Sequence, residues 1–152
     1  MFTKLILGLI IAASLFSGHI NTAEAKEESC LILGGTALAN VIDPTHLIAS
    51  LSGAFAGGAK AEILSETKTP TGLSLEMEHY FFTEKGGMLR TRDIATLTNV
   101  QGRKNIFMLE INYTIEDSSG AFEDYSGEFQ SFGLFDLNKG QAVIRYKGVI
   151  CK

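Results

Sequence analysis

The chain has 152 residues, of which 20% are charged, and a formal net charge of −4. Mild acidity without a Lys/Arg cluster argues against a nucleic-acid binder. The length suits one domain large enough to bury a core of its own.

The N-terminus reads as an export signal. Lys4 supplies a positive start, Leu5 to Phe16 is an uncharged apolar run of 12 residues, and Ala23-Glu24-Ala25 is a small-x-small cleavage site. A membrane anchor or a buried core helix would be the alternatives. A bilayer span needs about 20 apolar residues, so the run is too short for the first. Residues 1–25 are therefore expected to be a signal peptide, and 26–152 a single domain beginning at Lys26. Cys30 lies too far beyond the cleavage point to take a lipid. No later segment approaches spanning length, so the expected form has no membrane span after signal cleavage and is periplasmic or secreted. In such a compartment thiols oxidise. The two cysteines, Cys30 and Cys151, are expected to form one disulfide that closes nearly the whole chain. Free thiols or a metal pair are the alternatives, and two distant cysteines without a supporting His speak against a metal.

Along the domain, runs of alternating polarity are separated by glycine-rich or polar breaks. Cys30–Leu38, His46–Gly53 and Lys60–Lys68 are the first three strand candidates. A turn near Asp43-Pro44-Thr45 is the only helical candidate. In the next run Leu73, Leu75, Met77, His79 and Phe81 share one face, and Ser74, Glu76, Glu78, Tyr80 and Phe82 share the other. Period two over this length predicts a strand with one buried face. Glu84-Lys85-Gly86-Gly87 turns the chain. Met88–Leu97 follows, with Leu89, Thr91, Asp93, Ala95 and Leu97 together. After a polar loop, Phe107, Leu109, Ile111, Tyr113 and Ile115 oppose Met108, Glu110, Asn112 and Thr114. Asp117-Ser-Ser-Gly120 predicts another turn. Glu128–Asp136 and Gln141–Cys151 complete eight strands, joined by a hairpin at Asn138-Lys139-Gly140. Short antiparallel strands at this spacing make a sandwich or a barrel. An eight-strand meander closes readily into an up-and-down barrel, in which first and last strands are neighbours. Cys30 and Cys151 lie on those two strands. The expected fold class is thus all-β, a small antiparallel barrel of about eight strands.

The C-terminal part of the chain carries a family likeness. Ser119-Gly120-Ala-Phe122-Glu-Asp-Tyr125-Ser-Gly127, then Ser131-Phe-Gly133, Asp136, Gly140 and Arg145-Tyr146-Lys-Gly148-Val-Ile-Cys151, resemble the β-barrel superfamily of allene oxide cyclases and dirigent proteins. The likeness spans Ser119 to Cys151. It implies a small barrel with a cavity, often in an oligomer, that steers cyclisation or coupling of a hydrophobic intermediate. The signal peptide and terminal cysteine pair are also similar to dirigent proteins. The motif supplies turns and closure and no reacting group, so it transfers no catalytic residue.

Reactive side chains are few. Past the signal only His46 and His79 remain, neither in a zinc-ligand arrangement, and no metal or other cofactor is expected. His79, on a face with Leu75, Met77 and Phe81, reads as a packed or hydrogen-bonded residue. A turn at Lys85-Gly86 sets Glu78 opposite Arg92 and Tyr80 opposite Arg90. Facing outward, Glu76, Glu78, Arg90, Arg92 and Glu110 would form solvated cross-strand pairs; Tyr80 and Phe82 would then offer a homo-oligomer contact. Facing inward, the same five residues would line a polar cavity and, with Tyr113, form a candidate ligand-binding set. The apolar opposite face of the Leu73–Phe82 strand favours the outward arrangement. Asn112-Tyr-Thr114 matches a glycosylation sequon in mid-strand and is taken as chance. Three functions follow: a barrel binding a small apolar ligand, a cyclase- or dirigent-like protein, or an interaction protein with a filled barrel. A cavity above about 300 Å³ would favour the first two.

Overall fold

A computed structural model describes residues 29–152. The expected signal peptide lies outside the described residues. Eight strands follow one another: β1 (Cys30–Val41), β2 (His46–Gly53), β3 (Gly57–Thr69), β4 (Gly72–Thr83), β5 (Met88–Asn99), β6 (Ile106–Ser119), β7 (Glu128–Asp136) and β8 (Gln141–Cys151). Each pairs antiparallel with its neighbours in sequence, and β8 pairs with β1, so the sheet is a closed up-and-down barrel. Closure leaves no unpaired sheet edge among the described strands.

The alternation of side chains decides which face turns inward. Leu75, Met77 and Phe81 of β4, Leu89, Ala95 and Leu97 of β5, and Phe107, Ile111 and Tyr113 of β6 are all buried. The register across the β4–β5 turn pairs Glu78 with Arg92 and Tyr80 with Arg90, as the position of the turn requires. Cys30 and Cys151 stand directly opposite each other and are joined by a disulfide spanning 121 residues. Such a bond marks an oxidising compartment.

The differences from expectation have local causes. Gly57 and Gly58 open β3 rather than breaking the chain, because both sit at its pairing with β2 and β4. Strand β6 runs on through Asp117-Ser118-Ser119, and its Glu116 is the extra residue of a bulge opposite the Arg90/Thr91 step of β5. The segment near Pro44 is a bend rather than a helical turn: Asp43 Oδ1 accepts hydrogen bonds from the backbone N–H of Thr45 and of His46, both at 2.9 Å. The helical turn lies instead at Gly120–Phe122, where Gly120 has φ of 62°. That conformation lets Phe122 fold back into the core.

The two ends of the barrel differ. One end carries the β2–β3, β4–β5 and β6–β7 links and the disulfide. It is closed by Phe55, which enters from the β2–β3 link and is fully buried. The Phe55 ring lies 5.3–5.6 Å from those of Phe81, Phe122, Phe129 and Tyr146. Its backbone N–H donates to Tyr146 Oη at 2.9 Å, and that hydroxyl donates to the Ser52 carbonyl at 2.6 Å. The Tyr146 hydroxyl occupies the space that a side chain at position 35 would fill, so Gly35 is required there. This end is the floor. At the other end Val41, Leu47, Ile63, Leu73, Leu109 and Phe135 point inward yet remain partly accessible, and this end is the mouth.

Candidate ligand site

Between mouth and floor lies a chamber in which the centres of water-sized molecules can occupy about 220 Å³. Its origin is an uneven distribution of side-chain size. Ala142, Ala39, Ala49 and Ala59 are successive partners across β8, β1, β2 and β3. The row is flanked by Phe135 at one end and Phe81 at the other. One wall is therefore nearly bare backbone with methyl groups. The facing wall, from β4 to β7, carries the large residues Met77, Phe81, Phe107, Ile111, Tyr113 and Phe129. Small residues opposite large ones leave space where two bulky walls would have met.

The chamber is apolar except in its deep half. His79 lies six residues beyond Leu73 along β4, roughly 20 Å along the strand towards the floor. Its Nδ1 is 2.6 Å from Asp93 Oδ2. The His79 side chain is 11% exposed, and that of Asp93 is 0% exposed. Because a carboxylate accepts, Nδ1–H is the donor, and in the neutral ring Nε2 is left as the acceptor. The His79 ring stacks on Phe81 at 5.6 Å and meets the Tyr113 ring edge-on at 5.2 Å. Tyr113 Oη is 2.9 Å from Ser131 Oγ, and burial pushes the tyrosine hydroxyl well above its usual titration range. Two buried polar atoms, Thr91 Oγ1 and Asp93 Oδ1, make no hydrogen bond within the described chain. The inner wall of β4 to β7 thus carries His79, Thr91, Asp93, Tyr113 and Ser131 as one polar patch in an aromatic setting.

Of the six residues singled out in the sequence, only Tyr113 lines this chamber. Glu76, Arg92 and Glu110 are exposed on the outer wall, and Glu78 and Arg90 are half-buried there. Arg90 lies 2.9 Å from Glu116 and 3.4 Å from Glu78, and Arg92 lies 3.9 Å from Glu116. The Tyr80 hydroxyl and then the Arg90 charge lower the Glu78 carboxyl below its ordinary value. These contacts form an outer-surface network of little consequence for stability. Arg92 also borders a larger groove of about 830 Å³ on the outer wall, with Ile32, Ile94, Lys147 and Val149. That groove lies on the outer surface and is mixed in polarity, whereas the chamber is a concave, mainly apolar space within the barrel, as small-molecule sites are.

Sequence reasoning passed over Asp93 and underweighted His79. The signal was present: each is the one ionisable group on a mainly apolar strand face, and one turn brings the two faces together. Residues at the mouth include Asp43, Pro44 and Glu66. His46 binds Asp43 there at 2.9 Å. Among the described residues no cluster of three His, Cys, Asp or Glu could hold a metal ion.

Fold and site together define a closed eight-stranded antiparallel barrel with a one-ended apolar chamber and a buried polar patch. No family model, curated protein or solved structure matches the chain, so no match identifies the superfamily that its C-terminal part resembles.

Proposed function

We propose that this protein is exported and binds a small, mainly apolar molecule in the barrel. The observation that carries the reading is the alanine wall facing the aromatic wall, which holds open an apolar chamber entered from one end. At about 220 Å³ it falls short of the roughly 300 Å³ at which ligand pockets commonly begin, so the ligand is small. An interaction protein with a filled barrel has no use for this space. A cyclase- or dirigent-like role is the second reading, favoured by the polar groups set deep in the chamber. The export signal at residues 1–25 supports a periplasmic or secreted location, and the mature N-terminus should be Lys26. The outer row Leu38, Val143, Leu134 and Met108, contiguous across β1, β8, β7 and β6, supports self-association.

Native mass spectrometry of the protein purified from its own host tests the reading directly. A co-purifying small molecule released on unfolding is expected, and the same spectrum counts subunits. Ligand-free protein that also takes up no small apolar molecule added in solution would overturn it.

A further inference from the structure

We infer that the chamber is a proton-transfer site, with His79 as the base and Asp93 as the residue that positions it. The inference rests on the ligand-binding reading above and adds chemistry to it. Three observations converge. The imidazole is held by a fully buried carboxylate at 2.6 Å through Nδ1. Its Nε2 makes no hydrogen bond within the described chain, and the ring lines the chamber. The carboxylate's second oxygen is buried without a partner. A buried, half-satisfied carboxylate is poor structural material, because an apolar pair of similar volume packs as well without the desolvation cost. An oriented imidazole in an apolar, water-poor site is instead the arrangement that general base catalysis requires.

The surroundings restrict the substrate. Asp93 already places one buried carboxyl directly behind the His79 ring, so a neutral molecule fits better than an acid. Lys60, the lysine bordering the chamber, turns its ammonium onto the Tyr80 ring at 4.4 Å, away from His79. The substrate must therefore carry its own electron sink. A carbon between a carbonyl and a double bond, as in a β,γ-unsaturated ketone, meets this need. His79 Nε2 takes the proton from that carbon, and the C–H electron pair spreads into a dienolate. The imidazolium then returns the proton at the γ carbon. The double bond moves into conjugation, with no atom gained or lost and no change in oxidation state.

Cyclohex-3-enone, small and neutral, is the probe. The disulfide-bonded protein should speed its conversion to cyclohex-2-enone by at least about 100-fold over buffer, the lower range for acid–base catalysis. His79→Gln should return the rate to that of buffer. Asp93→Asn should lower kcat while cyclohexanone still binds as before; a purely structural role would weaken binding and turnover together. Should His79→Gln not fold, the unmutated protein still gives an answer. Nucleophilic attack by Nε2 on 2-bromocyclohexanone expels bromide, and peptide mapping should place the adduct on His79. Cyclohexanone binding, followed by NMR, separates the two levels of the argument. Binding without isomerisation, isomerisation that survives His79→Gln, or an adduct elsewhere would overturn the proton-transfer site and leave ligand binding standing. Absence of ketone binding, with ligand-free protein from the host, would overturn both.

Discussion

Removing the plug from the floor should show how much of the barrel's stability depends on one loop residue. Phe55 is fully buried, and its ring touches four aromatic neighbours. In Phe55→Ala the lost transfer free energy is about 2–3 kcal/mol. Three of the surrounding rings sit on β4, β7 and β8, held by their ladders, and Phe122 sits in the Gly120–Phe122 turn, so they cannot collapse together to fill the gap. The void therefore adds to the cost, and the total should reach about 3–5 kcal/mol. Against a usual total of about 5–15 kcal/mol this is a large share. Urea unfolding should show a lower midpoint at unchanged slope, and thermal unfolding should fall by about 10–20 °C. Added benzene should restore part of the loss by occupying the void. A loss under about 1.5 kcal/mol at unchanged slope would refute the assignment of Phe55 as the closure of the barrel.

Replacing both Cys30 and Cys151 by Ala should cost about 5 kcal/mol on the chain-entropy model for a loop of 121 residues; denaturant unfolding with and without the bond measures it, and a cost near zero would mean that the β1–β8 ladder alone closes the barrel. Ala49→Phe should fill the chamber, since residue 49 is half-buried and faces open space: uptake of small apolar molecules should fall at least about tenfold, while stability changes by less than about 1.5 kcal/mol. His79→Phe leaves the Asp93 carboxyl buried without a partner and should cost about 3–5 kcal/mol, whereas His79→Phe with Asp93→Leu should recover most of that; a double variant no better than the single one would show that the pair is not coupled. At the mouth, the Thr45 backbone N–H and the His46 side chain lower the Asp43 carboxyl from 3.8 to about 2. The folded state favours the ionised form, so the contribution of Asp43 is complete above about pH 4 and is lost as pH falls through 2. An NMR titration should place its midpoint near 2, and a midpoint near 3.8 would show that the Asp43–His46 turn does not hold in solution.

The strands were legible because one face of each is buried and the pattern repeats every two residues. Breaks at Glu84–Gly87 and Leu137–Gly140 marked the turns, and the cysteines at the two chain ends implied closure. Bulges were not legible. The register shifts at Ile63/Ser65 and at Arg90/Thr91 depend on pairing lengths that only the assembled sheet sets. The plug was hidden because Phe55, in Gly-Ala-Phe-Ala-Gly, looks like any turn residue until three strands and the Gly120–Phe122 turn surround it. The alanine wall was also hidden, because Ala39, Ala49, Ala59 and Ala142 are far apart in sequence and become a row only through register. The charged residues drew attention because they are conspicuous in sequence, and on the outer wall they need no function. His79 and Asp93 were each read singly. The same turn that sets Glu78 against Arg92 brings these two within a hydrogen bond, on the opposite face.

The clasp between β1 and β8 also fixes the orientation of anything joined to this protein. Ser29 and Lys152 exchange two backbone hydrogen bonds of 3.0 Å beside the disulfide, so the described chain enters and leaves the barrel at the floor. A surface, a resin or a fused reporter attached at Ser29 or Lys152 would leave the entrance turned outward and free. In a chain trimmed to residues 29–152, joining Ser29 to Lys152 would require little added chain, and new ends could then be opened in an exposed link such as 100–105 without parting any strand from its neighbours.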